Sequence, residues 1–249
     1  MSDQTTSEGV AGVGMFVAAF LDEKGAKKAL KGMKEAKKSA EFYFDNAAVI
    51  RCNEKGKVKI EETGDMSTGK GAGIGALVGG VIGLLGGPIG VVAGAGAGAI
   101  AALKDSGFDN DSLKEIGSAL PPGTSAIAVT TSRKFVEQVR KQAPHGETLA
   151  VARDLASDIR NNLKAGQEVV YSLLLTEAGI AANKVVASSE AVAVFGIAAS
   201  EEGVVVGQAV VTAEGAAYEA VAATEDEAVY EAGVIVPDES ESEGEEEAE

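Results

Sequence analysis

A twelve-residue repeat in the last third of the chain constrains the fold more than any other feature. Five consecutive copies run from Thr176 to Ile235, each opens with Thr or Ser, and four of the five are acidic at the third position. A fixed period implies one structural unit per copy. A strand of about nine residues with a short polar turn fits this period, and Gly203 and Gly215 suit a positive φ in the turns. We therefore predict an antiparallel β region over 166–236 that begins with a strand at Val169–Leu175.

Alternate residues of a strand point to opposite faces of its sheet, and in these predicted strands both sets of residues are small or apolar, mainly Ala, Val, Gly and Ile. Neither face of the sheet is therefore plainly suited to water. Such a sheet needs cover from a second sheet, from the rest of the chain or from another copy of the protein. An isolated antiparallel β-sandwich and a self-associating sheet both stay open. A helix over 213–232 is a competing interpretation, because that stretch is rich in Ala and Glu.

The formal charge of −16 is unevenly distributed along the chain. Through Lys164 there are 21 basic and 19 acidic residues, whereas from Ala165 onward Lys184 stands alone against 19 acidic residues. Residues 237–249 hold eight acidic residues in thirteen and predict a disordered, solvated tail. A cation-binding tail and a tail that pairs with lysines elsewhere in the chain are the alternatives. The acidic balance argues against a nucleic-acid partner, which requires a basic surface.

The first part of the chain alternates short apolar runs with helical patterns, after a disordered N-terminus at 1–9. Predicted strands lie at 15–20, 46–52, 57–62, 125–131 and 147–154, and predicted helices at 22–41, 112–120, 132–142 and 157–164. These lengths favour an α+β fold in which residues 10–165 form a split ferredoxin-like domain with an insertion at 71–103. The antiparallel repeat region and the disordered acidic tail then follow as separate parts of the chain.

The helix predicted at 22–41 is amphipathic. Small and apolar residues occupy one side, and lysines recur on the other at steps of three and four. These lysines are predicted to contact lipid headgroups, and they are Lys24, Lys27, Lys28, Lys31, Lys34 and Lys38.

The insertion at 71–103 is a 33-residue tract without a charge. One straight helix of this length would extend roughly 50 Å, well over the ~30 Å hydrocarbon core of a bilayer. Gly86, Gly87 and Pro88 at its middle favour a reversal, so we predict a hairpin of two helices, 71–85 and 88–103. Glycine recurs every fourth residue on both arms, which predicts a glycine zipper of closely packed helix faces. The zipper positions are Gly71, Gly75, Gly79, Gly83, Gly87, Gly90, Gly94 and Gly98.

This glycine content favours a membrane environment. In water a helix loses about 0.8–1.0 kcal/mol for each glycine relative to alanine, whereas lipid removes the coil alternative. The first residues lack a signal-peptide pattern, so insertion from the cytoplasmic side is expected. Each arm would be only about 22 Å long, so burial of the hairpin inside a protein oligomer is the alternative.

The order of parts over about residues 10–165 resembles DUF1269, a family of bacterial and archaeal membrane proteins of unknown function. The resemblance rests on KGKVKIEETGDMSTGKGAGIGALVGGVIGLLGGPIGVVAGAGAGAI, followed by DNDSLKEIGSALPPGTSAIAVTTS. It implies a membrane-associated, nonenzymatic domain and supplies no catalytic residues. The repeats lie outside it.

The residue inventory also disfavours an enzyme. Cys52 and His145 are the only residues of their types, which removes most thiol, imidazole and zinc schemes. Residues 64–71 approach a P-loop, but Gly71 occupies the position of the magnesium-binding Ser or Thr. We therefore expect no catalytic, cofactor-binding or metal-binding residues and no small-molecule substrate.

The sequence thus predicts a nonenzymatic, membrane-associated assembly protein whose partners are lipid and further copies of itself. The hairpin would insert, and the repeats would self-associate on the cytoplasmic side. Two alternatives stay open. One is a soluble cytoplasmic oligomer or filament with the hairpins buried in a shared core, and the other is cation or mineral handling at a membrane compartment through the acidic tail.

Overall fold

The computed structural model describes residues 13–38, 44, 46–63, 110–130, 145–176 and 179–236. In this part of the chain the helices are α1 (Gly25–Lys38), α2 (Asn110–Ala119) and α3 (His145–Lys164). The strands are β1 (Val13–Phe20), β2 (Asn46–Cys52), β3 (Val58–Thr63), β4 (Ser125–Thr130), β5 (Glu168–Thr176), β6 (Gly179–Ala187), β7 (Ala191–Ser200), β8 (Gly203–Thr212), β9 (Gly215–Ala223) and β10 (Ala228–Ile235).

These strands form one ten-stranded antiparallel sheet in the order β10-β9-β8-β7-β6-β5-β1-β4-β2-β3. In its first part, β4 lies between β1 and β2, and β1 lies between β4 and β5. Strand β2 likewise lies between β4 and β3. The chain must therefore pass over a neighbouring strand three times, and α1, α2 and α3 lie in these three connections. From β5 onward each strand pairs with the next along the chain, so the last part of the sheet is a simple meander.

Helices cover both faces of the first part of the sheet. Leu30 and Met33 of α1 pack with Phe16 on one face. Leu113 of α2 and Ile159 of α3 pack on the other. Strands β2 and β4 are buried almost throughout, which explains why their sequences are continuously apolar rather than alternating.

The predicted ferredoxin-like α+β fold is wrong. An α+β fold of that kind places its helices together on one face of a sheet, whereas α1 lies on the face opposite α2 and α3. The sheet also continues without a break from β1 through β5 into the repeats, so the protein is mainly β. The order of strands and helices in a sequence specifies neither the face that a helix covers nor whether a later β region joins the same sheet. The predicted boundary between 165 and 166 falls at the turn between α3 and β5.

One predicted strand, at 147–154, is also wrong, because these residues belong to α3. Ala152, Leu155, Ile159 and Leu163 are buried and recur at helical spacing, so the apolar run is one side of a single long helix. Four other predictions lie outside the described residues. They are the helix at 132–142, the hairpin at 71–103, the N-terminus at 1–9 and the tail at 237–249.

Each twelve-residue repeat forms one strand, from β6 to β10, as its period predicts. The Thr or Ser that opens a repeat is a turn residue: Thr212 Oγ1 accepts a hydrogen bond from the N–H of Glu214 at 3.1 Å. The glycine that follows has a backbone that only glycine adopts readily. At Gly215 φ is 145°, and a Cβ atom there would lie 2.3 Å from the carbonyl oxygen of Ile235. The helical interpretation of 213–232 is therefore wrong.

Candidate functional site

The repeat sheet, defined here as β6–β10, carries exposed apolar side chains on both faces. Among the described residues no helix is in extensive contact with β8, β9 or β10. We call the face on the α3 side the groove face. Five large apolar side chains of this face are 41–64% exposed, namely Phe195, Ile197, Val206, Val221 and Tyr230. On the opposite face Val205, Tyr218, Val229 and Ile235 are 36–61% exposed, whereas Val192 and Val194 of β7 are buried.

A shallow groove of about 520 Å³ crosses the groove face from β6 to β10. Its lining is mainly apolar, with Lys184 at the β6 end and a polar cluster around Glu219. The side-chain amide of Gln208 donates a hydrogen bond to one carboxylate oxygen of Glu219. The hydroxyl of Tyr230 donates to the other oxygen at 3.2 Å. These two hydrogen bonds hold the Glu219 carboxylate between β8 and β10.

The β10 strand is the last strand of the sheet, and no described strand pairs with its outer edge. Natural edge strands are commonly protected by Lys or Pro, and β10 contains neither. Four of its apolar side chains are 56–75% exposed, namely Val229, Tyr230, Val234 and Ile235. At the other edge of the sheet β3 carries Lys59, whose Nζ lies 2.6 Å from the carboxylate of Glu61. The two edges therefore differ in chemistry, and β10 is the apolar one.

A polar cluster fastens α3 to the first strand of the repeat sheet. Lys184 Nζ of β6 lies 2.6 Å from Asp158 Oδ2 of α3, and the hydroxyl of Tyr171 on β5 donates to the same oxygen. The amide of Asn162 donates to Asp158 Oδ1 at 3.2 Å. Burial acts to raise the pKa of Asp158, but the hydrogen bonds from Lys184 and Tyr171 outweigh it and hold that pKa below its usual value. Burial and the adjacent carboxylate raise the pKa of Tyr171, so its hydroxyl remains the donor.

Sequence reasoning missed this cluster, although one signal for it was present. Lys184 is the only basic residue after residue 164. A single lysine in an acidic, apolar region is expected to have a specific carboxylate partner. Tyr171 and Asp158 carry no comparable signal, because nothing in the sequence shows that α3 lies over β5 and β6.

The lysines of α1 lie where their spacing predicts. The side chains at positions 24, 27, 28 and 31 are exposed and that of Lys34 is partly buried, whereas the side chain of Lys38 is outside the description. Two of them have carboxylate partners: Lys28 lies 3.1 Å from Asp22 and Lys31 lies 3.8 Å from Glu35. The positive charge available to a partner is thus smaller than the lysine count suggests. Contact with lipid headgroups stays a prediction.

The other predicted functional residues are not brought together. The eight zipper glycines, from Gly71 to Gly98, lie outside the described residues. In the described ranges no helix has both the length and the apolar character needed to cross a bilayer. Cys52 is buried at the end of β2, and burial raises the pKa of its thiol. Of the residues that the structure describes, no group of three or more His, Cys, Asp or Glu could hold a metal ion.

These features define a class of protein, namely a mainly β protein in which a helix-covered sheet continues into an uncovered meander of repeats. Residues 72–168 match the family model DUF1269, described as a protein of unknown function. This match confirms the predicted resemblance over that range, which includes α2, β4 and α3 and ends at the first residue of β5. No curated protein and no solved structure matches the chain.

Proposed function

We propose that this is a nonenzymatic assembly protein whose copies associate through the repeat sheet. The observation that supports this function most directly is the exposure of large apolar side chains on both faces of β8–β10. Three strands about 4.8 Å apart and about 27 Å long present roughly 400 Å² on each face. Each face is therefore as large as the largest apolar patch on a typical soluble monomer, about 300–600 Å², and patches of this size are often functional.

The distribution of charge supports the same function. The acidic residues of the repeats lie mainly in the turns, at the ends of the strands, while the middles of the strands remain apolar. Repulsion between copies is therefore greatest at the strand ends, and apolar contact between strand middles stays available. In an isolated β-sandwich a second sheet would cover these middles. The described residues contain one sheet, and both of its faces at β8–β10 are open.

The test is sedimentation velocity of the full chain across a range of concentrations. We expect the native protein to sediment as an oligomer. A variant with Val229→Lys and Val234→Lys places one charge on each face of β10, at side chains that are 56% and 75% exposed, so it should fold and sediment as a monomer. Leu21→Lys is the matched control, since Leu21 is 42% exposed and lies in the loop after β1, away from the repeats.

The control variant should associate like the native protein. A native chain that stays monomeric at every concentration contradicts the proposed function. If the β10 variant associates as strongly as the native chain, the repeat sheet is not the surface through which copies associate.

Contact with a membrane is a second candidate function, and the exposed lysine side of α1 favours it. Each well-placed lysine near an anionic surface contributes about 1 kcal/mol, so several on one helix give measurable binding at low salt. The uncharged tract at 71–103 would add insertion to this electrostatic contact. Anionic lipid vesicles should therefore sediment together with the full chain.

Replacement of Lys24, Lys27, Lys28 and Lys31 by Gln should weaken binding to these vesicles at low salt. Vesicles of neutral lipid are the control for electrostatic contact. Equal binding of the native and substituted chains to both kinds of vesicle would exclude a role for the lysines. No binding of the native chain to either kind would exclude the membrane function itself.

A further inference from the structure

The outer edge of β10 has a hydrogen-bonding pattern that its neighbours determine. The N–H of Thr224 donates to the carbonyl of Glu227 at 2.8 Å and closes the turn between β9 and β10. Hydrogen-bonded and non-hydrogen-bonded pairs alternate along an antiparallel ladder. The next pair, Ala223 with Ala228, is therefore non-hydrogen-bonded, and every second residue from Ala228 directs its N–H and C=O away from β9. These outward residues are Ala228, Tyr230, Ala232 and Val234.

An unpaired row of this kind accepts another strand, and the side chains of β10 favour β10 of a second copy. The edge is eight residues long, and Glu231 is its only charged residue. The acidic segment at 237–249 is a poor alternative occupant, because Asp and Glu have low strand propensity. The edge of β3, with Lys59 and Glu61 side by side, offers less apolar contact than a second β10.

Two-fold symmetry restricts the register of such a pair. Antiparallel pairing about an axis perpendicular to the sheet requires that opposite residues lie on the same face. If Ala232 lies opposite its own copy, Tyr230 falls opposite Val234 and Val229 falls opposite Ile235, so that apolar side chains meet on both faces. Glu231 falls opposite Gly233, where no side chain opposes it. The neighbouring register would place Glu231 opposite its own copy, where like charges repel.

We infer that two copies of the chain pair through β10, antiparallel, with Ala232 opposite Ala232 of the second copy. This inference rests on the proposed function and specifies its geometry. The two ten-stranded sheets become one continuous sheet, and about six backbone hydrogen bonds form across the junction, two for each of three hydrogen-bonded pairs. The groove faces of the two copies then join on the same side. The resulting dimer is closed, because pairing uses the free edge of β10 in both copies.

Disulfide trapping tests this register directly. Hydrogen-bonded antiparallel pairs have Cα atoms about 5.5 Å apart, within the range that a disulfide spans. In a Cys52→Ala background, Ala232→Cys should therefore form an intermolecular disulfide in a glutathione buffer, seen as a doubled mass without reductant. Glu231→Cys is the matched control, because its two copies would lie about 8 Å apart in this register. Efficient trapping of Glu231→Cys without trapping of Ala232→Cys would overturn the register.

A second variant tests edge pairing itself. Ala232→Pro removes an N–H that points outward, so the ladder to β9 remains while pairing to a second copy loses its central hydrogen bonds. The expected result is a fall in sedimenting mass from dimer to monomer, with Ala232→Val unchanged. Thermal unfolding of both variants checks that they are folded.

The outcomes separate this inference from the proposed function. A native monomer contradicts both. If the oligomer persists in Ala232→Pro and Ala232→Cys forms no intermolecular disulfide, edge pairing is contradicted. Association would then take place through the faces of the repeat sheet. Growth of the native protein into fibres contradicts the closed dimer, because an open contact would then join unlike edges.

Discussion

The contact between α3 and the repeat sheet depends on Asp158, and removal of its cation partner should destabilise the protein measurably. Lys184→Met keeps the length and apolar stem of the side chain and deletes the charge that lies 2.6 Å from Asp158 Oδ2. The side chains of Lys184 and Asp158 are 28% and 39% exposed, so solvent screens the pair in part. Breaking a fully buried pair costs about 3–5 kcal/mol, whereas exposed pairs contribute about 0.2–1 kcal/mol. We therefore expect a loss of about 1–2 kcal/mol.

A double-mutant cycle with Tyr171 sharpens this expectation. Tyr171→Phe deletes the hydroxyl that donates to the same oxygen of Asp158 and keeps a ring that is 7% exposed. A hydrogen bond to a charged group contributes about 1.5–3 kcal/mol, and we expect the lower end here. Because both groups bind one oxygen atom, the double variant should differ from the sum of the single effects by at least about 0.5 kcal/mol.

The assay is urea unfolding of the full chain followed by far-ultraviolet circular dichroism, at a protein concentration low enough to avoid association. Lys31→Met is the control, since Lys31 lies 3.8 Å from Glu35 on the exposed side of α1. Its loss should cost less than about 0.5 kcal/mol. If Lys184→Met destabilises the protein no more than Lys31→Met, the cluster does not fasten α3 to the sheet. Strict additivity of the Lys184 and Tyr171 effects would also refute the shared-oxygen argument.

Three further predictions concern single positions. Gly215→Ala should destabilise the protein by at least about 2 kcal/mol, because φ is 145° there and the new Cβ would lie 2.3 Å from the carbonyl oxygen of Ile235. The control is Gly207→Ala, at a position with an ordinary φ, which should cost less in the same urea titration. Asn46→Leu should raise the unfolding temperature, because the Asn46 amide is buried without a hydrogen-bond partner and its desolvation costs about 1–3 kcal/mol. Folding lowers the pKa of Asp158, so its carboxylate contributes fully to stability above the pKa of the unfolded chain, and this contribution is lost as the pH falls through the folded pKa. In Asp158→Asn the free energy of unfolding should therefore depend less on pH in the acidic range.

The sequence was most informative where a local pattern carries its own geometry. The twelve-residue period located five strands, since the hydroxyl of Thr212 and the backbone of Gly215 define a turn through contacts within a few residues. The lysine spacing located the exposed side of α1 for the same reason. The segment at 147–154 was wrongly predicted to be a strand, because a short apolar run does not distinguish a strand from one side of a helix.

The candidate site was less predictable than these elements, because it depends on contacts between distant parts of the chain. The apolar composition of the repeats indicated that their sheet needs cover, and the structure locates the uncovered area at β8–β10. The free edge at β10 follows from strand order, which no local pattern encodes. The partnership of Lys184 with Asp158 likewise requires α3 to lie over β5 and β6, a placement that the 25 intervening residues leave undetermined.

The length of the connections explains why one part of the sheet is covered and the other is open. Where β4 separates β1 from β2, the chain must cross a strand, and such a crossover has room for a helix that shields a face. The connections within the repeat sheet contain only two to four residues, which suffice for a turn and leave no segment to form a helix. Apolar side chains on both faces of a meander therefore have no cover from their own connections. This physical consequence of the repeat length makes contact between copies the most direct way to bury the outer strands.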